Sequence, residues 1–196
     1  MKFGFDDMQR EMLKDMPEQK FQRLSAEELA EQAPPAPKGS DIAMWQVAST
    51  VCDPEIPVLT VADLGILRAV ENVNGTPVVT ITPTYSGCPA METITADLRT
   101  AFVEAGYPEP RVELVLTPAW STDWMSEIGK KKLDEYGIAP PTGKAAAGPV
   151  SVGLAVKCPR CHSLKTQEMT RFGSTSCKAL YQCKNCKEPF DYFKVH

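Results

Sequence analysis

The strongest constraint on this chain is a pair of C-x-x-C motifs near its end. Cys158-Pro159-Arg160-Cys161 and Cys183-Lys184-Asn185-Cys186 are separated by 21 residues. Such pairs bring four thiolates together tetrahedrally from two hairpin turns. Zinc suits four soft thiolates because it has no preferred d-electron geometry, whereas iron or an iron–sulfur cluster can use the same ligands and remains the alternative. We therefore predict a four-cysteine zinc ribbon over residues 151–196, with the metal supplying much of its folding energy.

The size and cysteine content limit what the rest of the chain can be. The 196 residues are 43% apolar, enough for one ordinary domain and a small additional one. The seven cysteines are an odd number, and the first residues lack the basic and apolar regions of a secretory signal. We therefore expect a cytoplasmic protein without membrane spans, in which cysteines serve metal or thiol chemistry rather than disulfides.

Charge is unevenly distributed along the chain. Residues 151–196 carry a balance of +5, residues 41–150 a balance of −7, and the first 40 residues a balance of −2. A basic ribbon can dock on an acidic protein or contact nucleic acid. A solvated surface is the simpler interpretation, and the acidic main domain argues against nucleic acid.

Hydrophobic periodicity places an α+β domain at residues 41–138. The pattern indicates helices covering a small mixed sheet, because helical and strand periods alternate along it. The turn Asn74-Gly75 is a strong hairpin signal. The predicted elements are a helix from Ile42 to Val51, strands over 64–73 and 76–82, a helix over 91–105, a strand over 112–117 and a helix over 123–136.

Two flanking segments differ from the domain in composition. Residues 1–40 are predicted to form a flexible N-terminal arm, with a short helix started by a capping box at Ser25 and Glu28. Residues 139–150 are rich in alanine and proline, which predicts a linker.

Cys88 is the cysteine most suggestive of chemistry in the main domain. It follows a predicted strand, with Gly87 permitting a tight turn and Pro89 suited to the first position of a helix. We expect the helix N-terminus to lower its pKa, giving a thiolate that can act as a nucleophile, a redox sensor or an iron ligand. The alternative is that Cys88 only occupies the end of a helix and has no chemical function. Residues 1–150 contain no histidine, so a Cys–His hydrolase is not favoured.

Three further features carry weaker predictions. Asp53 and Glu55, on a proline-bracketed turn, can ligate iron or attract a partner, although such an aspartate often only caps a turn. Cys177 is interpreted as a buried small residue, a further thiol near the metal, or a reactive site. The run Lys130-Lys131-Lys132 is interpreted as a solvated helix face.

Several of these segments together resemble a known family. Asp53-Pro54-Glu55-Ile56-Pro57, Asp63-Leu64-Gly65 and the stretch from Thr82 to Pro89 resemble the iron–sulfur-assembly domain of SufT-like proteins and cytosolic iron–sulfur assembly factors. The ribbon, with Phe172-Gly173-Ser174-Thr175 and Glu188-Pro189-Phe190-Asp191, narrows the resemblance to the PaaD family of the phenylacetyl-CoA epoxidase (ring 1,2-epoxidase) system.

The resemblance implies a non-enzymatic accessory role in aerobic phenylacetate degradation, in which the protein matures the epoxidase complex. Its partners would be the reductase and oxygenase components, and its cofactors structural zinc and a transient iron–sulfur cluster. Cys88 matches the family's motif cysteine, the candidate ligand for iron or a cluster. One cysteine cannot complete a four-thiolate shell, so a homodimer, a partner's cysteine or Cys52 would have to contribute. The alternative role is a non-catalytic structural or scaffold component of the complex.

Overall fold

The computed structural model describes residues 24–142 and 156–195. The first 23 residues of the predicted arm and residues 143–150 of the predicted linker lie outside them. The elements, in chain order, are α1 (Ala26–Gln32), α2 (Ile42–Ala48), β1 (Leu67–Val73), β2 (Thr76–Ile81), α3 (Ala90–Glu104), β3 (Arg111–Leu114), a 3-10 helix (Thr122–Trp124), α4 (Glu127–Tyr136), β4 (Thr166–Thr170), β5 (Lys178–Cys183) and β6 (Pro189–Phe193).

The first sheet is mixed, as the sequence predicts. Its strand order is β1-β2-β3, with β1 and β2 antiparallel and β3 parallel to β2. The hairpin closes at Asn74 and Gly75, whose φ angles of 52° and 85° suit the predicted tight turn. Helix α3 makes the crossover from β2 to β3 that a parallel pair requires. The α+β fold class is confirmed.

The helices cover this sheet with the faces that their periodicity predicts, with some differences in length. Helix α3 buries Ile94, Leu98 and Phe102. Helix α2 buries Trp45 but leaves Ile42 69% exposed and stops at Ala48, short of the predicted end.

The predicted last helix is interrupted. A 3-10 turn ends at Trp124, and α4 starts afresh at Glu127. The restart occurs because the Ser126 hydroxyl accepts the Gly129 N–H at 2.8 Å and caps α4. This cap also turns the new helix towards Asp63, whose carboxylate accepts the Ser126 hydroxyl at 2.8 Å.

The prediction of a solvated face for the three lysines is wrong at Lys132. Its ammonium lies 2.8 Å from Asp63 Oδ2, and the side chains of Lys132 and Asp63 are only 13% and 1% exposed. Lys131, one position earlier, is 77% exposed. The run spans more than one helix face because successive residues are offset by about 100°. Asp63 is therefore a buried structural anchor for α4.

The second sheet is the ribbon, antiparallel with strand order β4-β5-β6. Alternation along β6 turns Phe190 and Tyr192 into the ribbon's own core and Phe193 into the core of the main domain. Phe193 meets the Trp120 ring edge-on, with centroids 6.1 Å apart. Ala139, the first residue of the predicted linker, donates its N–H to Asp191 and accepts that of Phe193. The ribbon therefore packs directly on the domain.

Over the described ranges, the helices are all too short or too polar to cross a bilayer.

Candidate metal centre and thiol cavity

The four ribbon cysteines converge in space. Cys158 and Cys161 precede β4, Cys183 ends β5, and Cys186 lies in the turn before β6. Their sulfurs all lie within 4.8 Å of one another, with Cys158 to Cys186 at 3.8 Å and Cys161 to Cys183 at 3.5 Å. A tetrahedron with Zn–S bonds of about 2.3 Å has edges of about 3.8 Å. The geometry and the donor set fit zinc, and all four ligand positions are taken by protein, as in structural sites.

Local backbone conformation shapes the two turns that carry these cysteines. His162 and Lys187, each directly after the second cysteine of a pair, have φ angles of 58° and 68°. Each donates its N–H at 2.9 Å to the carbonyl of the first cysteine of its pair. The left-handed conformation thus closes each turn and directs both sulfurs to one point. His162 acts here through its backbone.

Hydrogen bonds also favour the thiolate form of Cys161, which is the form that binds metal. Hydrogen bonds from the Ser163 N–H, and then from the Cys183 thiol and the Asn185 amide, lower the pKa of Cys161 to about 6. The Asn185 amide lies 3.7 Å from the same sulfur. Donors around a ligating sulfur orient it and stabilise its negative charge. The thiolate is therefore favoured at neutral pH.

Cys88 lies in the loop between β2 and α3, half-buried, two residues before α3 begins. Pro89 occupies the N-cap position rather than the predicted first helical position. The expected lowering of the Cys88 pKa is wrong. Burial raises the pKa of the thiol above its ordinary value, and this outweighs the lowering by the Ala90 N–H and the Tyr85 hydroxyl that hydrogen-bond to it.

Asp53 and Glu55 face the same place as Cys88. Asp53 Oδ1 accepts the N–H groups of Glu55 and Ile56 at 2.8 and 2.9 Å, so the aspartate does cap its turn. Burial raises the pKa of both Asp53 and Glu55. The two negative charges also raise the pKa of Cys88. The three groups predicted for iron handling thus share one environment.

These three residues line one small enclosed cavity of about 10 Å³. The rest of its wall is largely apolar and consists of Ile56, Leu64, Ile66, Thr84, Tyr85, Cys177 and Phe193. A wider open groove of about 310 Å³ adjoins it, sharing Glu55 and Tyr85 and bordered by the ribbon loop from Phe172 to Ser176. The small cavity at the thiols therefore lies beside a groove that is open to solvent.

Two residues near the cavity were not assigned to this site from sequence. Cys177 is 6% exposed and belongs to the core of the main domain, although it lies in the ribbon. Lys178 follows it, 5% exposed, 3.8 Å from Asp191, and lowers the pKa of Asp53 and Cys177. In the sequence, the one signal for Cys177 and Lys178 is their position between the two C-x-x-C pairs. Cys52, by contrast, is not among the described residues that line the cavity.

Two family models match this chain. Residues 43–116 match the iron–sulfur cluster assembly protein model, and residues 144–194 match the PaaD zinc beta ribbon domain. The first contains Asp53, Glu55 and Cys88, and the second contains the four ribbon cysteines. The zinc assignment in the ribbon is thereby confirmed.

Two curated proteins and one solved structure are similar to this chain over different lengths. The chain is 48% identical over 151 residues to an Escherichia coli (strain K12) protein, the D subunit of what its name calls a "Putative 1,2-phenylacetyl-CoA epoxidase", covering 77% of this chain and 90% of that protein. It is 40% identical over 86 residues to the Fe-S protein maturation auxiliary factor of Porphyromonas gingivalis (strain ATCC BAA-308 / W83), covering 43% and 81%. The crystal structure of a domain of unknown function, DUF59, from Bacillus anthracis superposes with a TM-score of 0.44 at 29% identity, covering 46% and 88%.

Identity of this extent, over nearly the whole length of the Escherichia coli protein, is enough to assign the family. The chain belongs to the PaaD family, the D subunits of phenylacetyl-CoA epoxidase.

Proposed function

We propose that this protein is a non-catalytic accessory factor that matures the phenylacetyl-CoA epoxidase complex by delivering iron or an iron–sulfur cluster. The cavity that Cys88 shares with Asp53 and Glu55 is the main support for this proposal. Thiolate and carboxylate oxygen are both ligands of iron. The names of the two curated relatives, an epoxidase subunit and a maturation factor, support the same combination.

The geometry suits transient binding better than catalysis. The cavity side chains are not gathered as the ribbon sulfurs are, since among the described residues only the four ribbon cysteines form a group of ligand atoms within 4.8 Å. A metal held by such a site exchanges more easily than one in a preformed tetrahedron. The open groove next to Cys88 gives a client protein access to the bound metal.

The proposed clients are the other components of the epoxidase. The reductase is the first, because the family resemblance implies that it carries an iron–sulfur cluster, and the oxygenase component, for which the resemblance implies a di-iron centre, is the second. The ribbon, with its excess of basic residues, is the proposed docking element, since an acidic partner surface would attract it. A homodimer could supply a second Cys88 to the same cargo.

The test is the metal content of the reductase. It is produced with wild-type protein, with Cys88→Ser, with Cys52→Ser as the matched control, or without this protein, and purified anaerobically. We expect full iron and acid-labile sulfide with wild type and Cys52→Ser, and a deficit with Cys88→Ser or without the protein. Equal loading in all four samples would exclude the reductase as client, and the same result with the oxygenase would refute the proposal.

A scaffold function is the second candidate, and one observation favours it. The ribbon exposes three large apolar side chains, with Leu164 at 60%, Met169 at 54% and Phe172 at 69% exposure. Exposed apolar groups of this kind are typical of contact surfaces. A scaffold predicts that Cys88→Ser supports full epoxidase activity and co-purifies with the oxygenase in fixed ratio. A maturation factor predicts an inactive complex instead.

A further inference from the structure

Strand β3 forms an open edge of the first sheet. Within the described residues, the strand order β1-β2-β3 gives β3 a neighbour on one side only. We propose that β3 is a dimer interface, at which it pairs antiparallel with β3 of a second copy of this chain about a two-fold axis at Val112. The pairing joins the two three-stranded sheets into one. The inference goes beyond the proposed iron transfer and does not depend on it.

The other outer strands are covered or irregular in the described part of the chain. Asp41 covers β1 by donating its N–H to the Val70 carbonyl at 2.7 Å, and the Ser40 hydroxyl accepts the Val70 N–H at 3.2 Å. Ala139 covers β6 through its backbone hydrogen bonds. Strand β4 has a register shift in its pairing with β5, an irregularity that discourages further pairing. Strand β3 is therefore the regular edge left open.

The hydrogen bonds between β2 and β3 show which peptide groups point outwards. The Val115 N–H, directly after β3, donates to the Ile81 carbonyl at 2.9 Å. Peptide groups of successive residues in a strand point to alternate sides, so those of Glu113 and Val115 face β2. Those of Val112 and Leu114 point away from the sheet. A second strand can therefore bond to Val112 and Leu114, and a two-fold axis must pass through one of them.

Charge favours a second copy as the partner and the axis at Val112. Arg111 and Glu113 lie on one face of β3, 2.9 Å apart, with side chains 64% and 45% exposed. An axis at Val112 places Arg111 of each copy opposite Glu113 of the other. Opposite charges directly across a strand pair stabilise it, and like charges destabilise it. An axis at Leu114 would place Glu113 opposite Val115 and form no such charge pairs.

Backbone bonds and an apolar contact complete the interface. The Val112 N–H of each copy donates to the Val112 carbonyl of the other, and the Leu114 N–H donates to the Pro110 carbonyl. Leu114, 55% exposed in the single chain, becomes a diagonal neighbour of Val112 in the second copy. Pro110 has no N–H, so regular pairing ends there. Because the interface is short, we expect a dimer that dissociates on dilution.

Sedimentation equilibrium of full-length, zinc-loaded protein measures this dimer. We expect wild-type protein to be dimeric at high concentration and to dissociate reversibly on dilution. Arg111→Glu and Glu113→Arg each turn both attractive charge pairs into repulsive ones, and each should weaken dimerisation by about 10-fold. Wild-type protein that stays monomeric at its highest soluble concentration would overturn the proposal, and so would variants that dimerise as wild type does. A client strand that used this edge instead would give the monomeric result.

Mixing the two charge variants tests the reciprocal pairing itself. One copy then carries two negative side chains on this face and the other two positive ones, so a heterodimer contains attractive pairs only. We expect the mixture to regain wild-type dimerisation although each variant alone is weak. The control variants Lys131→Glu and Glu135→Lys alter an exposed ion pair on α4, with side chains 77% and 61% exposed. They should match wild type alone and mixed. No gain on mixing, or the same behaviour in the control set, would overturn the proposal.

Leu114→Pro tests the backbone bonds. Proline is tolerated on an edge strand where the lost N–H faces solvent, so the bonds from β3 to β2 should remain, which circular dichroism checks. We expect the dimer to be lost. Wild-type dimerisation by folded Leu114→Pro would overturn the proposal. Should this variant fail to fold, the mixing experiment still decides.

Discussion

Replacing Phe193 by Ala tests whether the ribbon and the main domain share one core. Phe193 is 1% exposed and lies at the end of β6, where it packs in the core of the main domain rather than in the ribbon's own core. It also contacts the Trp120 ring edge-on. The substitution removes the largest apolar side chain that the ribbon places in that core.

The expected loss follows from this burial. Truncating a fully buried Phe to Ala costs about 3–5 kcal/mol, through lost transfer free energy and the cavity left behind. The ring pair with Trp120 accounts for about 0.5–1.5 kcal/mol of this. Because Phe193 also lines the thiol cavity, the change should loosen Cys177 relative to Cys88.

Urea unfolding followed by tryptophan fluorescence measures the effect, since all three tryptophans precede the ribbon. The matched control is Phe190→Ala, on the same strand and 4% exposed, but packed in the ribbon's own core. We expect Phe193→Ala to lower the free energy of the fluorescence transition by about 3–5 kcal/mol and Phe190→Ala to lower it by less than half as much. A change in Phe193→Ala below about 1 kcal/mol, or no larger than that of Phe190→Ala, would refute the shared core.

Three further predictions concern the metal, a buried ion pair and a thiol. Removing zinc with a chelator should unfold the ribbon, seen as loss of amide protection in β4 to β6, because the metal supplies much of its folding energy; retained protection would contradict this. Lys132→Ala should lower the free energy of urea unfolding by about 3 kcal/mol, because it leaves the Asp63 carboxylate buried without its cation. The control Lys131→Ala, on the exposed face, should change it by less than about 0.5 kcal/mol. Equal effects of the two variants would show that the Lys132–Asp63 ion pair does not stabilise the fold. Because burial raises the pKa of Cys88, its thiol is protonated at neutral pH. Alkylation of Cys88 should therefore be slow at pH 7 and accelerate only as the pH rises past the ordinary thiol range. Rapid alkylation at pH 7 would show that the pKa of Cys88 lies below its ordinary value.

Features decided by a few neighbouring residues were predictable from sequence. The hairpin depends on Asn74-Gly75, which adopt the positive φ angles that the turn needs. The buried face of α3 follows from helical spacing, and the zinc ligands follow from two C-x-x-C pairs. In each case the physical cause lies within one local segment or a repeated motif.

Features decided by packing between distant segments were not predictable. Lys132 pairs with Asp63 across 69 residues, and nothing in a run of three lysines tells which one turns inwards. The raised pKa of Cys88 depends on how deeply the folded chain buries its thiol. Cys177 lines the cavity beside Phe193, and both belong to the core of the main domain although they lie in the ribbon. Sequence patterns of one element contain no information about such contacts.

We propose that this protein transfers iron to an epoxidase component through Cys88. The most direct test is a transfer experiment: zinc-loaded protein is charged anaerobically with ⁵⁷Fe, mixed with metal-free reductase or metal-free oxygenase, separated, and the label counted in each. We predict that label moves to a client from wild-type protein and from Cys52→Ser, and that Cys88→Ser neither retains nor transfers it. Transfer by Cys88→Ser at the wild-type rate, or no transfer by wild-type protein to either client, would refute iron transfer through Cys88.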